Sequence, residues 1–139
     1  MTLIAPISGV LALLVAGWNA NTINRSDAGS ARMQEIASAI QQGAQAFLSS
    51  EYRVLALFVG AVTLLIAAVG FVSSAMHPLT AVAFLAGAGA SVLAGYIGMR
   101  VATRANVRTA QAAHHGMAAA LRVAFSGGAV MGLCVVGLG

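Results

Sequence analysis

The sequence predicts an all-α, polytopic membrane protein of about four transmembrane helices, the last one truncated, with helical cytoplasmic extensions. Composition is the first reason: of 139 residues, 60% are hydrophobic and 7% charged, and all seven basic residues are arginine. A soluble domain of this size carries charge on roughly a quarter of its residues, because something must face water. Length is the second, since several apolar stretches of about 20 residues match a ~30 Å hydrocarbon core at 1.5 Å per residue. The third is the placement of Arg100, Arg104 and Arg108, four residues apart at the end of one such stretch. A helix leaving the bilayer would carry all three on one side, where arginine anchors a membrane surface.

Residues 1–20 are apolar apart from Thr2, Ser8 and Asn19 and form the first expected span. A cleaved signal peptide is the rival reading, but no basic residue precedes the apolar stretch. Pro6 falls in the first turns, where it costs a helix least, and Trp18 suits an interfacial belt. Residues 21–51 form the first cytoplasmic segment. It opens with a turn rich in Asn, Ser, Asp and Gly, after which Asp27 or Ser30 can cap a helix. Beyond it Met33, Ile36, Ala37, Ile40, Ala44 and Phe47 recur at three- and four-residue steps, with Gln34, Glu35, Ser38, Gln41, Gln42 and Gln45 on the other face. A helix lying in the bilayer interface usually has a basic polar face. This glutamine-rich face, with only Arg32, instead predicts a helix running straight into the second span.

The second span is expected at 52–72, bounded by Glu51 and Arg53 at one end and by Ser73, Ser74, His77 and Pro78 at the other. The short connection makes the third span, 79–99, antiparallel to it. Gly87, Ser91 and Gly95 repeat every four residues in that span, the small-residue spacing that lets helix backbones approach in lipid. Residues 100–122 form a second cytoplasmic segment, helical at first, holding Arg100, Arg104, Arg108 and Arg122. A fourth span begins at 123, with Gly128 and Gly132 again four apart, and runs to 139 without a polar anchor; it reads as cut short. The two long segments hold every arginine, counting Arg25, Arg32 and Arg53 with the first, and the short connection holds none. The positive-inside tendency therefore predicts cytoplasmic arginine segments and an external N-terminus.

The chemistry of ion transport or catalysis is sparse. A carrier needs an ionisable group near the bilayer midplane, whereas Asp27, Glu35 and Glu51 all fall outside the spans or at their edges. For the same reason a small multidrug-type carrier is disfavoured. Adjacent His114 and His115 point about 100° apart on a helix and have no Cys, Asp or Glu nearby, so they read as a solvated pair rather than a metal site. His77 reads as a polar cap at the outer surface. Cys134, alone in an apolar run, reads as a small buried hydrophobe, not a nucleophile. Gly127, Gly128 and Gly132 lack the Lys and Ser/Thr of a phosphate loop, since Leu133 and Cys134 follow. No catalytic, cofactor-binding or metal-ligating residue is assigned. Net charge +4 comes from arginines beside apolar spans, so the lipid bilayer and not nucleic acid is the expected partner. Like charges at four-residue spacing repel, so the ladder needs a partner: lipid headgroups, carboxylates of further helices, or an anionic substrate.

Three stretches carry a resemblance. Arg32 to Leu55, RMQEIASAIQQGAQAFLSSEYRVL, followed after two spans by GMRVATRANVR at 98–108 and ALRVAFSGGAVMGL at 120–133, resembles the N-terminal part of the membrane-bound ion-pumping pyrophosphatases, over roughly residues 21–139. The resemblance implies a homodimeric pump with many spans, which hydrolyses inorganic diphosphate with magnesium on the cytoplasmic side and moves protons, or in some relatives sodium ions. It leaves potassium dependence open. It implies an external N-terminus, as the arginine count does, and a bacterial inner membrane is the expected location. The family's diphosphate- and magnesium-binding residues belong to later core helices, so none carries over to this chain, which is expected to be scaffold packed against the remaining helices. A stand-alone membrane scaffold or accessory subunit is the alternative.

Overall fold

A computed structural model of the chain describes residues 4–72, 77 and 79–139. It holds four helices, α1 (Ile4–Arg25), α2 (Ala31–Val72), α3 (Leu79–Ala113) and α4 (Met117–Leu138). Each is long and apolar enough to cross a membrane, and no strand occurs among the described residues. The protein is a helical membrane protein. Two expectations touch residues outside those described: the first three residues of span one, and the outer boundary at Ser73, Ser74 and Pro78.

The helices outrun the apolar stretches. α1 continues through Asn21–Arg25, where a turn was expected. The reason is local: Asn19, Thr22 and Ser26 turn their side chains back to donate to the carbonyls of Val15, Trp18 and Thr22, so polar residues here stay within helical geometry. Ile23, one turn from the end, is only 2% exposed and belongs to the same buried cluster as Ala105. Outside the hydrocarbon, such burial stabilises by about 2 kcal/mol. α2 is one unbroken helix of 42 residues, so the amphipathic stretch does run into the second span. α4 starts at Met117, six residues before the expected 123, because Ala118, Ala119 and Ala120 favour helix and Ala120 packs inward.

The breaks have stated causes. Between α1 and α2, Asp27 accepts a hydrogen bond from the Gly29 N–H at 2.9 Å, Ser30 caps α2 by accepting from the Met33 N–H at 3.3 Å, and the Gln34 amide donates to the Gly29 carbonyl at 2.8 Å. Gly29 has φ +78, and a Cβ there would meet Met33 Sδ at 2.7 Å, so glycine is required twice over. Between α3 and α4, three successive i→i−3 bonds from His114, His115 and Gly116 tighten the helix end, and Gly116 with φ +113 turns the chain. His77 caps α3, its Nδ1 accepting from the Leu79 N–H and its carbonyl from the Thr80 N–H.

Packing follows the order α1, α4, α3, α2, with α1 also grazing α3; α1 and α2 do not touch among the described residues. Neighbours in that order run antiparallel. Gly9 lies against Gly137, Gly98 against Met131, and Gly127 against Ala105. The inner stripes, Ala94, Gly98, Val101 and Ala105 on α3 and Gly127, Val130, Cys134 and Gly137 on α4, repeat at three- and four-residue steps, as in coiled-coil seams. Lipid tails are as apolar as leucine, so these helices associate by close dispersion contact between small residues and not by escape from water. The small-residue face expected on α3 is used only at its C-terminal end, among the described residues. Gly95 meets the Tyr52 hydroxyl, while Gly87 and Ser91 are exposed and nothing in the described chain approaches a Cβ at Gly87. On α4 likewise Gly127 and Gly137 make the close contacts, and Gly128 and Gly132 make none.

Candidate functional site

Past the apolar stretches, α2 and α3 continue side by side, and there the polar side chains of the protein converge. Gln34, Ser38, Gln41 and Gln45 lie on one face of α2 because they are spaced four, three and four residues apart. The antiparallel face of α3 presents Arg100, Arg104 and Arg108. Two connected clefts lie between them. One of about 660 Å³ is lined by Asn24, Gln34, Ser38, Gln41, Arg104 and Arg108 among others. The next, about 400 Å³ and closer to the bilayer, is lined by Gln41, Gln45, Tyr96, Arg100, Thr103 and Arg104 with the apolar Ala44, Leu48 and Met99.

The three arginines have different surroundings. Arg108 donates from Nε to the Ser26 carbonyl at 3.2 Å and from Nη2 to the Asn24 carbonyl at 3.5 Å, and its Nη1 reaches the Arg104 carbonyl at 2.9 Å. Two of its three partners are therefore backbone oxygens at the C-terminus of α1, the negative end of that helix dipole. None of the three sources weighed from the sequence includes this one. Arg100 makes a long contact to the Tyr96 hydroxyl at 3.5 Å, and Arg104 is half-buried. Among the described residues the salt bridge is Arg32–Glu35 at 2.7 Å, fully on the surface, where such a pair contributes little. Among the described residues no carboxylate pairs with the ladder.

Beside Arg108, Gln111 donates to Asp27 Oδ2 at 2.9 Å, so α3 grips the α1–α2 turn at two points. The Gly29 N–H first and the Gln111 amide second hold the Asp27 carboxyl below the usual carboxylate range. A lowered folded pKa means that the ionised form is the one bound. Its stabilisation is complete above the unfolded value, ~3.9, and is lost as pH falls through the lower folded value. We expect the difference in thermal stability between wild type and Asp27→Asn, which mimics the protonated group, to be constant from about pH 5 to 8 and to shrink progressively as pH falls below about 4. A difference that persists unchanged at pH 3 would contradict the assignment.

The remaining candidates stay apart. Glu35 and Glu51 are exposed on α2, His114 and His115 are exposed in the α3–α4 turn, and Cys134 is buried in the α4 stripe. Among the described residues no three His, Cys, Asp or Glu side chains come together. Sequence reasoning passed over Gln111 and Tyr52. Gln111 meets Asp27 across 84 residues, which no local pattern signals. The Tyr52 hydroxyl donates to the Val92 carbonyl at 3.1 Å, and its place at the edge of an apolar span was the available hint.

The geometry defines a class: a polytopic helical membrane protein with tightly packed small-residue seams and an arginine-lined helical extension. A family model described as inorganic H+ pyrophosphatase matches residues 10–139, and the chain belongs to that family. It is 46% identical over 134 residues to a K(+)-insensitive pyrophosphate-energized proton pump of Methanosarcina mazei, covering 96% of this chain and 19% of that protein. It is 47% identical over 135 residues to proton pump 2 of the same type from Moorella thermoacetica, covering 97% and 19%. A protein of Clostridium tetani, provisionally named a K(+)-stimulated pyrophosphate-energized sodium pump, is 51% identical over 128 residues, covering 91% and 18%. The chain thus spans about a fifth of the length of these relatives.

Proposed function

We propose that this chain is membrane scaffold of a pump that couples hydrolysis of inorganic diphosphate to translocation of protons or sodium ions. One observation supports the scaffold role above others: the three acidic residues, Asp27, Glu35 and Glu51, stand apart from one another and none lies within an apolar stretch, Glu51 only bordering the one that begins at residue 52. Neither an ion relay nor a multi-carboxylate metal centre can be built from them. The described residues do not fit a magnesium site, so the magnesium implied for the family belongs to residues other than these. Relatives of both ion types share this chain's pattern at similar identity, so the scaffold is common to proton and sodium pumps, and potassium dependence is decided elsewhere in the protein.

The proposal includes a homodimer, an inner bacterial membrane, and an N-terminus facing outward. The orientation is supported by the gathering of Arg25, Arg32, Arg108 and Arg122 at one end of the helix row, where α1 ends, α2 begins, α3 ends and α4 begins. Residues 1–139, purified in detergent and given diphosphate with magnesium, are expected to release no phosphate above background. Magnesium-dependent hydrolysis by these residues alone would overturn the scaffold reading.

A further inference from the structure

Arg100 and Arg104 lie where an apolar groove begins. Beyond Leu48 of α2 and Tyr96 of α3, which line the cleft beside these arginines, a second opening follows along the same seam, lined by Tyr52, Leu55, Val59, Gly60, Leu85 and Gly89 among others and about 910 Å³ in volume. α2 and α3 therefore stand apart within the hydrocarbon layer and leave a long apolar furrow. Gly60 and Gly89 keep it open, since nothing lies within 4 Å of a Cβ at either. One turn outward the same furrow becomes cationic and rich in amide groups.

Depth distinguishes the arginines. The headgroup layer is about 5–7 Å thick on each side of the core. With the apolar run ending at Met99, Arg100 sits at its inner edge and Arg104 about 6 Å further out. Arg108, about 12 Å out, is beyond it and is taken up by the carbonyls of α1. The two arginines at phosphate depth are the two that no carboxylate and no helix end neutralises among the described residues. Glutamines 41 and 45 face them and can donate to phosphate oxygens.

From this charge complementarity and this change of polarity along one furrow, we propose that the α2/α3 seam binds an anionic phospholipid, with its phosphate at Arg100 and Arg104 and an acyl chain between Leu55 and Leu85. The arginine ladder is then half lipid clamp and half helix latch. Tyr52, bonded to the Val92 carbonyl across the junction, sets the spacing of the two helices where head meets tail.

The test is native mass spectrometry of the purified full chain in detergent, titrated with phosphatidylglycerol or phosphatidylcholine. Wild type is expected to retain phosphatidylglycerol in preference. Arg100→Gln with Arg104→Gln should weaken that binding roughly 25-fold, at about fivefold per arginine beside an anionic headgroup, whereas Arg53→Gln, exposed on α2 but off the seam, should not. A Cβ at Gly89 meets no neighbour within 4 Å, so Gly89→Leu puts its side chain into the furrow and should weaken retention without lowering the melting temperature. Equal retention of the two lipids, or of phosphatidylglycerol by wild type and the double variant, would overturn the proposal. Displacement by inorganic phosphate would assign the arginines to a free anion instead, and no retained lipid at all would assign the seam to protein helices; either result also overturns it.

Discussion

Gly98→Leu is expected to destabilise the helix row by about 3 kcal/mol, while Gly87→Leu on the same helix is neutral or slightly stabilising. A Cβ at Gly98 would lie 2.7 Å from Met131 Cγ and 3.2 Å from Met131 Cβ, and the second of these atoms cannot swing away. The remaining leucine atoms must then push α4 off α3, which separates the buried stripe containing Ala94, Ala105, Val130 and Cys134. Overpacking of this kind costs about 1–3 kcal/mol, and the dispersion lost along the seam places this substitution at the upper end, because no hydrophobic drive holds helices together in lipid. Gly87 has nothing within 4 Å of a Cβ, so there only the better helix propensity of leucine counts, about 0.5–1 kcal/mol in its favour. Unfolding by SDS titration in mixed micelles reads the difference directly. Equal midpoints for the two variants would mean that α3 and α4 do not meet at Gly98.

The contrast between these two glycines shows what could be read without coordinates. The four helices, the long α2 and the broad division into apolar and arginine-bearing parts follow from hydropathy and periodicity, because lipid permits few other backbone arrangements. Gly87, Ser91 and Gly95 were legible as small residues at four-residue spacing, but spacing cannot say which turn of the helix a partner reaches. In the described chain contact begins near Gly95 and is closest at Gly98. The ends of α1 and α4 were missed for a similar reason. Polar side chains bonding back to their own helix and an alanine run beside the arginines carry these helices past the ends of the apolar runs. The relation of Arg104 to Arg108 was the least legible. They share residue type and spacing, and only the return of α1 to the end of α3 makes one a ligand for backbone carbonyls and leaves the other free.

Arg108→Gln is therefore expected to cost about 1–2 kcal/mol, and Arg104→Gln less than about 0.5 kcal/mol. Hydrogen bonds from a charged donor contribute about 1.5–3 kcal/mol, and a cation at a helix C-terminus adds up to about 1 kcal/mol. The site is only partly buried and the Asn24 contact is long, so solvent screening reduces that sum. Arg104 forms no such bonds, and its own carbonyl is served by Arg108. Geometry also separates arginine from lysine here. The planar fork spans the Asn24, Ser26 and Arg104 oxygens at once, and a single ammonium does not, so Arg108→Lys should recover less than half of the loss. The location of the damage is specific as well. Hydrogen exchange should rise across residues 21–30, where α1 ends and the turn held by Asp27 and Gln111 begins, and stay at the wild-type rate in the α3–α4 seam around Gly98 and Gly127. Exchange that rises instead along the whole of α3 would show that Arg108 supports its own helix and does not latch α1.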